Sequence, residues 1–248
     1  MMKRISLAIS AIVASVVAAA PATASASIVE LGAQTKTPIA APSCPKGVSP
    51  ASCYIILTRT TAVQSITDSV VNPTTVKNAG WIVAFTVGLS QLSTVGSTEV
   101  KYLHELDTAY GGTPQLALTV LKPGPDNEYT VQAQSGTYHL IPFLGEVLQE
   151  PLSLPPSFTA LTALPVAPGD VIGLTVPTWA PVLSYDLNAT QFAYRQSRRA
   201  NCKNAAASQT AQLTIGASQR YLCSYTGTRV EYSATEVVNT PYPKKYVH

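Results

Sequence analysis

Three histidines, His104, His139 and His248, bound the acid–base and metal chemistry open to this 248-residue chain. Ser135 and His139 lie four apart in "AQSGTYH", but the glycine that should lead a G-x-S-x-G nucleophile elbow is missing. Triad members converge in space and not in sequence. The local pattern around Gly136, however, predicts a strand, a turn and a strand. His104 to Asp107 reads "HELD". A zinc hydrolase motif needs a second histidine one helical turn on, and it is absent, so the stretch reads as a polar loop entering "TAYGGTP". Glycoside hydrolysis needs two carboxylates about 5–10 Å apart across a cleft. Glu105, Asp107, Glu146, Glu150, Asp170 and Asp186 are available, and nothing in the sequence pairs them. No D-x-D-x-D-G loop for calcium appears. Catalytic residues, cofactors and metals are therefore not predicted.

Binding groups are the next possibility. In "VAPGDVIGLTVPTWAPVL", Val166–Leu183, Asp170 follows Pro168-Gly169, where its carboxylate can take nearby backbone N–H groups and hold the turn. Pro177 and Pro181 flank Trp179 and favour a rigid extended loop or sheet edge over a central strand. Trp179, with Tyr185 and Tyr194, could stack on a sugar ring. The commoner fate of a large aromatic is to cap a core, so the stretch reads first as a sheet corner and second as a ligand platform. "YRQSRRANCK" holds Arg195, Arg198, Arg199 and Lys203. They read either as an anion-binding patch for wall polymers or as a solvated loop pinned by a disulfide.

The elements around these residues follow from composition and pattern. Lys3-Arg4, an apolar run from Ile5 to Ala20 and small residues at 22–26 make a secretory signal. The run is shorter than the ~20 residues of a membrane-spanning helix. Losing Lys3 and Arg4 leaves 14 basic against 13 acidic residues, far from the clustered basic excess of a nucleic-acid binder. Four cysteines in an exported chain favour disulfides over metal. Of the three possible connectivities, sequence proximity favours Cys44–Cys53 with Cys202–Cys223.

Period-2 alternation supplies the strands. "GWIVAFTVGL" places Trp81, Val83, Phe85, Val87 and Leu89 on one face, and "PQLALTVLKPG" does the same with Leu116, Leu118 and Val120. "YIILTRTTAVQSI", "YTVQAQS", "GEVLQEPLSL" and "VIGLTV" add four more. "RYLCSYTGTRVEYSA" reads as a hairpin, Val230 and Tyr232 inward, Arg229, Glu231 and Ser233 outward. Helical periodicity shows only weakly, near "NATQFAYRQS". The expectation is an all-β fold: a two-sheet antiparallel sandwich, jelly-roll-like. The expected division is a signal peptide at 1–24, a flexible leader at 25–43, a sandwich domain at 44–240 and a tail at 241–248.

From "TDSVVNPTTVKNAGWIVAFTV" through "LPVAPGDVIGLTVPTWAPVL" the chain resembles secreted β-sandwich proteins of high-GC Gram-positive bacteria. The resemblance, over about residues 60–235, implies the architecture and supplies no catalytic residue. The functional expectation is a secreted, extracellular, non-catalytic binding or cell-surface module for a polysaccharide or cell-wall polymer. A self-associating matrix protein and a hydrolase with an unrecognised site are the alternatives.

Overall fold

Alternating bulk, frequent β-branched residues and turn-forming glycines, prolines and asparagines give this chain many short strands. The structure is a computed structural model that describes residues 27–33, 36–48, 55–92, 96–152, 163–200, 202 and 209–238. The expected signal peptide at 1–24, Cys53, Lys203 and the expected tail at 241–248 lie outside the described residues.

In chain order the elements begin with β1 (Ser27–Leu31), β2 (Leu57–Thr67), β3 (Val70–Val71), β4 (Gly80–Gly88) and helix α1 (Gly96–Tyr110). There follow β5 (Gln115–Pro123), β6 (Glu128–Gln134), β7 (Tyr138–His139), β8 (Val147–Pro151), β9 (Leu164–Val166) and β10 (Val171–Ala180). The last are β11 (Leu183–Ser184), β12 (Ala193–Gln196), β13 (Ser218–Arg220), β14 (Cys223–Thr226), β15 (Arg229–Val230) and β16 (Tyr232–Val238).

They form the expected all-β antiparallel sandwich. One sheet runs β1-β16-β4-β8, with β9 also on β4. The larger runs β13-β6-β5-β10-β2-β12-β14, with β3 on β2 and β7 on β5. Between them lies the main core: Ile82, Phe85, Val87, Tyr232 and Ala234 from the first sheet meet Leu116, Leu118, Val120, Ile172, Leu174 and Val176 from the second. Burying an aliphatic or aromatic side chain of this kind contributes about 1.5–3 kcal/mol.

Several expectations need correction. The alternation of β4 breaks at Val83. Ala84 pairs with Thr235 and Ile82 with Glu236, so β4 holds one residue more than its partner, a β-bulge. Ile82 therefore reaches the core fully buried, and Val83 is only half-buried. The C-terminal hairpin does not form. β14 pairs with β12, β15 with β11 and β16 with β4 and β1, because the turn at Gly227 bonds to Phe192 and Leu187 and sends its two arms to different sheets.

"HELD" lies in α1, not in a loop. Tyr102, Leu103, Leu106 and Tyr110 recur at helical spacing and pack on Ile55, Leu92 and Trp179. Lys101 and Glu105 face each other one turn apart at 3.8 Å. Gly111 ends the helix at φ +85°, and the Gly111 and Gly112 N–H groups both donate to the Asp107 carbonyl. "NATQFAYRQS" is a turn capped by the Asn188 side chain, followed by β12.

Within the segment read as a leader, the described residues 27–33 and 36–43 include a strand and a cover over the sandwich. β1 pairs with β16 from Ser27↔Val238 to Leu31↔Ala234. The following segment crosses the sandwich so closely that a Cβ on Gly88 would collide with the Ala40 carbonyl oxygen. Arg229 holds it in place, donating from Nη1 to the Thr37 carbonyl at 2.8 Å and to Pro38 at 3.4 Å, and from Nη2 to Gly32 at 3.4 Å. Arg229 and Glu231, expected to face solvent, are buried beside this cover, and Ser233, expected outward too, is buried and donates to Glu30 of β1.

Candidate functional site

The aromatic platform is not assembled. Trp179 is 0% exposed. β10 runs on through Pro177, but its pairing with β5 ends at Thr175, and its register with β2 shifts between Val176 and Trp179. The proline is accommodated at this bulge on a strand paired on one side only. The bulge sets the indole against α1, where Nε1 donates to Asp107 Oδ1 at 3.0 Å. Tyr194 is also buried, stacked on Tyr225 with ring centroids 4.9 Å apart. Only Tyr185 of the three is exposed. Large aromatic area gains most from leaving water, and here two of the three rings are spent on the core.

The basic patch breaks up for a related reason. Arg198 is 1% exposed. Its Nε donates to Gln196 Oε1 at 2.8 Å and its Nη2 to the Thr58 carbonyl at 2.7 Å, while burial lowers its pKa. Arg195 donates to the Tyr221 carbonyl at 3.3 Å, and Arg199 is exposed. Cys202 and Cys223 form the expected disulfide, Cα–Cα 5.2 Å. Cys44 is disulfide-bonded, and the expected partner Cys53 lies outside the described residues. Ser135 Oγ accepts the Leu118 N–H and donates to the Gly136 carbonyl, a structural engagement that leaves its proton aimed at backbone. His104 and His139 are exposed on α1 and β7.

The Pro168-Gly169-Asp170 turn is where the described residues do leave room. Asp170 Oδ2 accepts the Ala167 N–H at 2.8 Å, as the turn reading expects. Gly169 takes φ +93°, a conformation that suits glycine. Beside this turn lies a cleft of about 830 Å³, lined by Asp170, Lys122, Gln132, Pro165, Pro168 and Ile215 among others. Burial pushes the Asp170 carboxyl up, while the Ala167 bond and the Lys122 ammonium pull it back.

Gln132 is the extra residue of a β-bulge: Val120 pairs with Ala133 and Leu121 with Val131, which leaves Gln132 exposed between two buried neighbours on β6. Lys122 sits where β5 runs out of the core into solvent. Ile215, 67% exposed, is brought in from a distant turn and left no sequence signal. Together they offer a carboxylate, an ammonium, an amide and proline faces. One carboxylate alone does not make the pair that glycoside hydrolysis uses. Among the described residues no group of three or more His, Cys, Asp or Glu side chains is placed to hold a metal ion, and no helix is long and apolar enough to cross a membrane. No protein-family model matches the chain, and no curated protein or solved structure does either.

Proposed function

We propose that the protein is a secreted, extracellular, non-catalytic binding module for a polysaccharide or cell-wall polymer, with the Asp170 cleft as its contact face. The observation that carries this reading is the lining itself. Asp170, Lys122 and Gln132 combine acceptors and donors around a trough of about 830 Å³, the chemistry that hydroxyl-rich ligands require. The exposed proline edges and Ile215 supply flat apolar contact for sugar C–H faces, the part first assigned to Trp179. Incubation of the purified protein with insoluble chitin, cellulose and cell wall tests it, beside a K122A/Q132A variant. Both residues are exposed, so the variant should keep its fold. Retention by one polymer, reduced about thirtyfold in the variant, supports the reading, since two polar contacts are lost and each is worth about 1 kcal/mol. Failure to bind any of the three refutes it in this form.

A self-associating matrix protein is the second reading. It is favoured by Ile28, 73% exposed on the edge strand β1. It expects concentration-dependent sedimentation that I28K abolishes.

A further inference from the structure

Among the described residues most buried charged groups have at least one partner. Asp170 has the Ala167 N–H, Arg198 has Gln196 and Thr58, and Arg229 has three carbonyls. Asp68 Oδ2 and Glu231 Oε2 lack hydrogen bonds, yet Asp68 accepts from Thr37 through Oδ1 and Glu231 pairs with Arg229. Glu236 is 1% exposed on β16, and its Oε1 also has no hydrogen-bond partner. It stands opposite Val29 of β1 on one side and Ile82 of β4 on the other, at the point where the β4 bulge shifts the register. Burial pushes its carboxyl up. A buried acceptor left without a donor is costly, more so when charged, and calls for an explanation.

Glu236 also borders a second cleft, of about 600 Å³, between β1 and the β2–β3 turn. Its lining sets four aliphatic side chains, Val29, Leu31, Val70 and Val71, beside polar groups such as Asn72 and Asn78. Three of the four remain substantially exposed, Val71 at 67%, although each would gain from cover. The neighbouring acid Glu30 is already engaged, accepting from the Ser233 and Thr235 hydroxyls. Exposed Lys77 lines the same cleft.

We propose that this second cleft binds a small aliphatic monoamine, its ammonium donating to the Glu236 carboxylate and its hydrocarbon chain lying on Val29, Val70 and Val71. The carboxylate asks for a donor, and a cationic donor makes a stronger bond than a neutral one. The valines ask for an apolar body on that donor. A metal ion fits poorly, because a hard cation wants six or more oxygens and no group of three or more His, Cys, Asp or Glu among the described residues is placed to hold one. Lys77 repels a second positive charge, so a monoamine is favoured over a diamine. The site is separate from the Asp170 cleft, and neither proposal depends on the other.

The test is an NMR titration of the full-length protein with n-butylammonium, beside n-butanol and 1,4-diaminobutane. Butylammonium should shift resonances of Val29, Val70, Val71 and Glu236, and bind about tenfold or more tightly than the alcohol, with the diamine weaker than the monoamine. E236Q preserves shape and removes the charge, and should weaken butylammonium by a similar factor while the protein melts no lower. Val71→Ser, at an exposed position that should not disturb folding, should weaken it independently by removing wall. No shifts at millimolar butylammonium would overturn the proposal and leave Glu236 answered by water alone. So would shifts mapping elsewhere, or equal binding by E236Q and the unsubstituted protein.

Discussion

Removing the cation from the Arg229–Glu231 pair is the most informative single perturbation. Arg229→Met keeps most of the side-chain length, so packing changes little and charge changes completely. Both partners are nearly inaccessible, and Arg229 Nη1 lies 3.5 Å from Glu231 Oε2. Burial alone pushes the Glu231 carboxyl up. Arg229 is the main influence pulling it back, helped by bonding from Ser184 and the Ala40 backbone. Deleting Arg229 leaves that carboxyl buried without its counter-ion and takes the donor from the Thr37, Pro38 and Gly32 carbonyls. Breaking a buried pair from one side costs about 3–5 kcal/mol. Urea unfolding at neutral pH, followed by two optical probes, should show a loss of that size. Adding Glu231→Met should restore most of it, since an apolar pair in place of a buried ion pair is close to neutral. The pH dependence is fixed in sign. A carboxyl whose folded pKa lies above its unfolded value contributes stability that is present below the unfolded pKa and is lost as pH rises through the folded one. Without Arg229 the folded pKa of Glu231 climbs further, so the deficit should narrow as pH falls toward the ordinary 4.5. A loss under about 1 kcal/mol, or a Glu231→Met change that deepens the loss, would refute the reasoning.

Two further outcomes follow from the packing. Trp179→Phe should cost about 2 kcal/mol by removing the indole bond to Asp107, and hydrogen exchange should show α1 losing protection before β5 does. Replacing Cys202 and Cys223 by Ser opens a loop whose ends are 21 residues apart and should cost about 3 kcal/mol, read from the urea midpoint with and without reductant.

How far such a structure can be read in advance depends on the range of each interaction. Strand alternation is local, and Leu116, Leu118, Val120, Ile172, Leu174 and Val176 all face the core as their period-2 pattern expects. The same rule put Arg229 and Glu231 on the correct side of their strand, away from the sandwich core. It could not see that the backbone at Gly32 and at Thr37 to Ala40 covers that side, because the cover comes from residues nearly 200 positions earlier. The Val83 bulge was equally hidden, since it exists only relative to β16. α1 was legible in principle from Tyr102, Leu106 and Tyr110, but the polar "HELD" between them obscured the period. The Asp170 turn was read correctly, whereas Lys122, Gln132 and Ile215 meet it only in three dimensions. Glu236 gave no sign at all, for an exposed and a buried glutamate look alike in a strand.

The position of β16 has a consequence for the order of events in folding. It is the last described strand in the chain, yet it lies inside its sheet, bonded on one side to β4 and on the other to the first strand, β1. A chain made from its N-terminus therefore holds half of a sheet in waiting until β16 has itself been made. Closing so long a loop costs stability only logarithmically with its length, but contacts this distant in sequence slow the search. The folded state becomes reachable only once β16 is in place. Loss of β16 would remove the middle of a sheet rather than fray its edge.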